Sequence, residues 1–79
     1  MNRVRLVTTA ATVSGSVSSG AMSVGFRISS GGSAVVNGNI PLSDSLSAFN
    51  LNQIGQGVFY PAIAYTVSSG TLYIAEVRE

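Results

Sequence analysis

Three carboxylates are the side chains in this sequence best suited to acid–base chemistry: Asp44, Glu76 and Glu79. A general acid and its partner base need two carboxyl groups that face each other across a substrate. Glu76 and Glu79 are three residues apart, so an extended chain places them on opposite faces. Asp44 lies between two serines, where its side chain is expected to hydrogen-bond the backbone of a turn. The acidic residues therefore predict no catalytic pair, and we expect no enzymatic activity.

Serine is abundant, but the sequence contains no histidine, cysteine or lysine. A serine nucleophile usually needs histidine as its base, and a phosphate-binding loop needs a lysine. Protein metal sites are built mainly from histidine, cysteine and clustered carboxylates. We therefore predict no catalytic residue, no cofactor and no metal site, and the absence of cysteine excludes a disulfide framework.

The four arginines are dispersed, and the net charge is +1, which is not the basic footprint of a nucleic-acid-binding protein. The longest nearly apolar stretch, residues 58–67, is much shorter than the roughly 20 residues that a membrane-spanning helix needs. We expect no leader or membrane span, and neither nucleic acid nor membrane as a partner.

Apolar residues recur with a period of two, which is typical of β-strands. The clearest example is residues 21–28, and the same alternation runs through residues 3–9, 62–67 and 71–78. One face of the first example carries Met22, Val24, Phe26 and Ile28. Both faces of residues 71–78 are largely apolar, which predicts a central strand or one covered by a partner.

Glycine-containing turns separate these segments. Asn37-Gly38 is the strongest hairpin pattern, and Ser-Gly turns occur at 18–20, 29–32 and 68–70. The segments 17–24 and 67–74 share a strand, Ser-Ser-Gly, strand pattern, which predicts two equivalent hairpins. Residues 43–50 fit either a short strand or a loop, and the glycine-containing segment that follows predicts a connecting loop.

This spacing predicts an all-β fold, a small antiparallel sandwich or barrel of about 6–8 short strands. A chain of 79 residues makes a single β-domain, 1–79, in which residues 1–10 could form an arm or an exchanged strand.

Low charge favours association with other subunits. Charged residues make up 9% of the sequence, against about 25% in typical soluble domains. A surface so poor in charge is weakly protected against association, and a small domain without disulfides or metals gains stability from partner subunits. We predict a homo-oligomer, for which a trimer is one candidate.

Two groups of charged residues are candidates for that interface. Arg3 and Arg5 share one face of a strand, where they could contact an acidic partner surface or protect an exposed edge. Glu76 and Arg78 also share a strand face, and could pair with each other or across a subunit boundary.

Aromatic residues complete the predicted interface. Phe59 and Tyr60 are adjacent, so in an extended segment they point to opposite faces and one leaves the core. Tyr65 and Tyr73 flank the last turn as candidate cross-strand neighbours, and an outward-facing Tyr73 would be a suitable interface anchor. A sugar-stacking platform is the alternative role for these exposed rings.

A composite pattern resembles a known class of proteins. Residues 17–26 read VSSGAMSVGF, residues 30–38 read SGGSAVVNG, and residues 68–78 read SSGTLYIAEVR, with IPL at 40–42 and FYPAIAY at 59–65. This is similar to small Ser/Gly-rich virion proteins of tailed bacteriophages, in which the V-N-G hairpin and a closing strand recur. The resemblance implies an oligomeric β-domain that decorates capsids or belongs to head fibres or tails.

Together these observations predict a non-enzymatic bacteriophage virion structural protein. The first hypothesis is a capsid decoration or stabilising protein that contacts itself and the major capsid protein. The alternative is a tail or fibre component that recognises a receptor or a glycan.

Overall fold

The computed structural model describes residues 4–79 and shows an antiparallel β-sandwich. The strands are β1 (Arg5–Ala11), β2 (Gly15–Val17), β3 (Ser23–Ile28), β4 (Ser33–Val36), β5 (Ile40–Leu42), β6 (Ala48–Leu51), β7 (Ile63–Ser69) and β8 (Leu72–Arg78). Sheet A has the order β1-β8-β3-β6, and sheet B has the order β2-β7-β4-β5. The predicted all-β class is confirmed, and the architecture is a sandwich of two four-stranded sheets. Residues 4–79 contain no helix long and apolar enough to cross a membrane.

The core lies between the sheets and follows the two-residue alternation. In β3 the buried side chains are Val24, Phe26 and Ile28, and in β8 the alternate positions from Leu72 onward are buried. Leu42 closes the core from sheet B and is fully buried. Each large apolar side chain buried in this way contributes roughly 1.5–3 kcal/mol. As predicted from its two apolar faces, β8 is a central strand, between β1 and β3.

The Asn37-Gly38 hairpin is confirmed. Strands β4 and β5 pair on either side of it, and both turn residues have positive φ, 55° for Asn37 and 75° for Gly38. Asparagine and glycine tolerate this left-handed conformation better than other residues.

The two Ser-Ser-Gly turns are not hairpins, so that prediction is wrong. The 18–20 turn leads from β2 in sheet B to β3 in sheet A, and the 68–70 turn leads from β7 in sheet B to β8 in sheet A. Tyr65 and Tyr73 are consequently in different sheets and are not cross-strand neighbours. Each turn is a corner at which the chain changes sheet, with glycine supplying the positive φ, 100° at Gly20 and 75° at Gly70.

The repeated pattern nevertheless corresponds to equivalent structures. Strand β2 pairs antiparallel with β7, and β3 pairs antiparallel with β8, so the two corner units are neighbours in both sheets. The antiparallel pairing places the two corners at opposite ends of the sandwich.

The 68–70 corner packs against the connection from β3 to β4. Ser29 Oγ accepts a hydrogen bond of 2.9 Å from the Thr71 N–H, and the Ser29 N–H donates to the Thr71 carbonyl at 2.9 Å. Asp44 Oδ1 accepts from the Gly31 N–H at 3.1 Å in the same connection. Asp44 therefore hydrogen-bonds the backbone of the 29–32 turn, whereas the sequence predicted that it caps its own turn at 43–45.

Three further segments can be compared with their predictions. Residues 43–50 are divided between a short bridge from Ser43 to Leu46 and the strand β6. Residues 52–59 form the predicted connecting loop. Strand β1 overlaps the segment 1–10 and pairs along its whole length with β8 of the same chain, and an arm or exchanged strand in that segment stays a prediction.

Candidate interaction surface

The outer face of sheet A is a surface of mostly exposed residues contributed by four strands. Strand register aligns Thr8, Ala75, Gly25 and Asn50 in one row across the four strands. The adjacent row contains Ala10, Tyr73, Arg27 and Ala48. Alternation points all of these side chains away from the core. This surface is called the sheet A face below.

Small residues make the sheet A face concave. Gly25 and Ala75 form the floor of an open trough of about 770 Å³, and Tyr73 and Arg27 stand beside them. A Cβ at Gly25 would lie 3.0 Å from Asn50 Oδ1, so the Asn50 amide already lies against this glycine. Tyr73 is 50% exposed in the centre of the face. The trough therefore offers an aromatic ring, a guanidinium and an amide above an apolar floor.

The two outer faces of the sandwich carry almost no charge. On sheet B the outward positions are Ser16, Val35, Pro41, Ala64 and Thr66. None of these is ionisable, and Arg27 is the one charged side chain on the outward positions of the described strands in sheet A. The charged side chains of the described strands thus lie almost entirely off the two broad faces.

Glu76 and Arg78 pair with each other. Arg78 Nε donates to Glu76 Oε1 at 2.6 Å, and Arg78 Nη2 lies 2.5 Å from the same oxygen. The other guanidinium contacts are with the 18–20 corner, since Nη1 donates to the Ser19 carbonyl at 2.9 Å and Nη2 donates to the Ser18 carbonyl. The Glu76 side chain is only 9% exposed. Of the two alternatives for this pair, the structure supports the one within the chain.

Phe59 and Tyr60 separate as their adjacency predicts. Phe59 is 42% exposed, whereas Tyr60 packs against the core. The Tyr60 backbone bridges to Ala21, and its hydroxyl donates to the Asn52 carbonyl. Phe59 is therefore the member of this pair that is free to contact a partner.

Arg5 lies on β1, an edge strand, while Arg3 lies outside the described residues. The structure thus places the predicted interface residues in three locations. Arg5 is on the edge, Tyr73 is in the trough, and Phe59 is in the loop that follows β6. Tyr60, Glu76 and Arg78 instead support the 18–21 segment from within the chain. Their assignment to a subunit interface stays a prediction.

Several surface residues were missing from the sequence-based interface. They include Leu6, Ile54 and Val58, which are 68%, 70% and 44% exposed. The small residues of the trough were not identified from the sequence. A glycine or alanine forms a concave surface only together with its neighbours in adjacent strands, and the sequence does not show which strands are adjacent. The sequence did contain one sign of this surface, because the outward face of β8 is apolar as well as its inward face.

Potential ligand side chains do not cluster. Residues 4–79 contain no group of three or more His, Cys, Asp or Glu residues with the spacing of a metal site. No protein-family model, curated protein or solved structure matches this chain.

Proposed function

We propose that this chain is a non-enzymatic structural protein of a bacteriophage virion, which decorates and stabilises the capsid as a homo-oligomer. The observation that carries the proposal is the near absence of charge on both broad faces of the sandwich. Uncharged faces lose little desolvation energy when neighbouring subunits cover them. The virion setting comes from the Ser/Gly-rich pattern that resembles phage structural proteins.

The contacts of two carboxylates, Glu76 and Asp44, support a structural role. Glu76 is held by Arg78, and Asp44 accepts a backbone hydrogen bond in a turn. Both contacts stabilise connections between the sheets. A decoration protein would then bridge capsid subunits through apolar and main-chain contacts, and so raise the mechanical stability of the shell.

A second candidate is recognition of a receptor glycan on a tail or fibre. The trough on the sheet A face favours it, because Tyr73 can stack on a sugar ring while Arg27 and Asn50 hydrogen-bond hydroxyl groups. For this candidate we propose β3, β6 and β8 as the glycan site, in preference to the neighbouring aromatics Phe59 and Tyr60.

Localisation on the particle tests both candidates. Virions of the phage or prophage that encodes this sequence would be purified, analysed by peptide mass spectrometry and labelled with a gold-conjugated antibody against the chain. The major capsid protein is the positive control, and a phage replication enzyme is the negative control. We expect the chain to co-purify with particles and the gold to lie over the heads. Gold at tail tips would favour the glycan candidate, and absence from purified particles would refute both.

A further inference from the structure

Strand β1 presents a long unpaired edge, which we call the β1 edge: the outward backbone groups of Arg5–Ala11. Within residues 4–79, β1 pairs only with β8, and no other backbone hydrogen bond reaches its seven residues. Its side chains are mostly exposed, with Leu6 at 68%. A row of free N–H and C=O groups is a template for another strand.

The other three edges of the sandwich are less suited to pairing. Strands β2 and β5 have three residues each, and β5 contains Pro41, which cannot donate a ladder hydrogen bond. Strand β6 has four residues. Short edges and proline are the usual protections against strand addition. The β1 edge has neither, and residues 6–11 include no charged side chain and no proline.

We propose that the β1 edge binds the β1 edge of a second copy of this chain, antiparallel and about a two-fold axis at Thr8. The two four-stranded A sheets then form one continuous eight-stranded sheet. This inference rests on the self-association in the proposed function, and adds the surface, the register and a two-fold rather than three-fold symmetry.

The register pairs all seven residues of β1, whose centre is Thr8, and the charges permit it. With the axis at Thr8, Arg5 of one copy faces the uncharged Ala11 of the other, six residues along the strand from the second Arg5. At about 3.3 Å per residue the two arginines are then about 20 Å apart, beyond the screening length of about 8 Å at physiological ionic strength. Pairing about the strand centre therefore brings no like charges together.

The same register gives favourable side-chain pairs. On the outer face Thr8 lies opposite the second Thr8, and Leu6 lies opposite Ala10. A cross-strand threonine pair stabilises the pairing of two strands. On the inner side the half-buried Val7 lies opposite Thr9. The pairing thus covers Leu6, one of the most exposed apolar side chains in the described chain.

A single introduced thiol tests the register, because the natural chain has no cysteine. In a Thr8→Cys variant the two-fold axis places the two thiols directly opposite, with Cβ atoms about 5 Å apart. We expect rapid covalent dimers when the full chain is treated with a mild oxidant or a short bis-maleimide, read on a non-reducing gel.

Two matched variants serve as controls. One measures cross-linking by random collision of exposed thiols, and the other tests the register of the paired strands. Thr66→Cys places a thiol at another exposed threonine, on β7, an inner strand of sheet B. Ala10→Cys leaves the thiol on the β1 edge, but the two copies would be separated by four residues, about 13 Å. We expect both to cross-link at least tenfold more slowly than Thr8→Cys. Circular dichroism verifies that each variant retains the β-sheet spectrum.

The outcomes distinguish this inference from the proposed function. If the wild-type chain self-associates and Thr8→Cys cross-links no faster than Thr66→Cys, the β1 edge is not the interface, although the structural role stands. Faster cross-linking of Ala10→Cys than of Thr8→Cys would overturn the register. If the wild-type chain is monomeric and no variant cross-links above the Thr66→Cys rate, both self-association and the β1 pairing are wrong.

Discussion

A Gly70→Ala substitution is expected to lower the free energy of unfolding by about 2–5 kcal/mol. At a φ of 75° an added side chain costs roughly 1–2 kcal/mol of backbone strain. The new Cβ would also lie 2.5 Å from Ser29 Oγ and 2.9 Å from Gly32 Cα, and overpacking of this kind costs a further 1–3 kcal/mol or so. A domain of this size has a total stability of about 3–5 kcal/mol, so the substitution would remove a large part of it.

Gly31→Ala is the matched control for backbone strain. Its φ is 77°, close to that of Gly70, but no atom lies within 4 Å of the added Cβ. We expect it to cost only the strain of roughly 1–2 kcal/mol. Urea unfolding monitored by circular dichroism measures both variants. Equal losses at the two positions would show that the packing of the 68–70 corner against residues 29–32 does not stabilise the fold.

An Arg78→Met substitution is expected to destabilise the chain by about 3 kcal/mol. It removes the guanidinium that pairs with the buried Glu76 and that donates to two carbonyls of the 18–20 corner. Removing one partner of a buried pair costs about 3–5 kcal/mol, because the remaining charge is buried without compensation. The 14% exposure of Arg78 favours the lower end of that range.

The double variant Glu76→Met/Arg78→Met separates the charge effect from the loss of the corner contacts. Replacing both partners by apolar side chains removes the unpaired charge, so we expect the double variant to be more stable than Arg78→Met alone. Arg27→Met, on the exposed sheet A face, is the control and should change stability by less than about 0.5 kcal/mol. A double variant less stable than Arg78→Met would contradict the assignment of the loss to Glu76.

The sequence predicted the strands better than their partners. Alternation identified β3 because its two faces differ in polarity within one short segment, and Asn37-Gly38 identified its hairpin because φ preference is a property of those two residues. The segment at 43–50 stayed ambiguous because its few apolar residues fit more than one period. Which sheet a strand belongs to depends on contacts between segments that are distant in sequence. The alternation of apolar residues along one strand contains no information about those contacts.

The Ser-Ser-Gly turns illustrate that limit. Serine and glycine favour a reversal of direction, but the reversal can return to the same sheet or cross to the other. At 68–70 the crossing depends on packing against residues 29–32, about forty positions earlier. The misassignment of the two hairpins, and of the Tyr65–Tyr73 pair with them, follows from reading that turn chemistry locally.

The candidate surface was predicted only in part. The spacing of Glu76 and Arg78 placed them on one strand face, but their burial depends on the 18–20 corner, which is 59 residues away from Arg78 in sequence. Tyr73 was identified as an aromatic residue beside the last turn that could face outward. The trough beside it was not, since its floor combines residues of β3 and β8 that only the register brings together.

The central claim is that other subunits cover the nearly uncharged faces and the open β1 edge of this chain. The mass of the full chain in solution tests this claim most directly. Size-exclusion chromatography with light scattering, repeated over a wide range of concentration, measures that mass. We expect twice the chain mass of 8.1 kDa, or an even multiple of it. A mass of 8.1 kDa at every concentration would contradict the account.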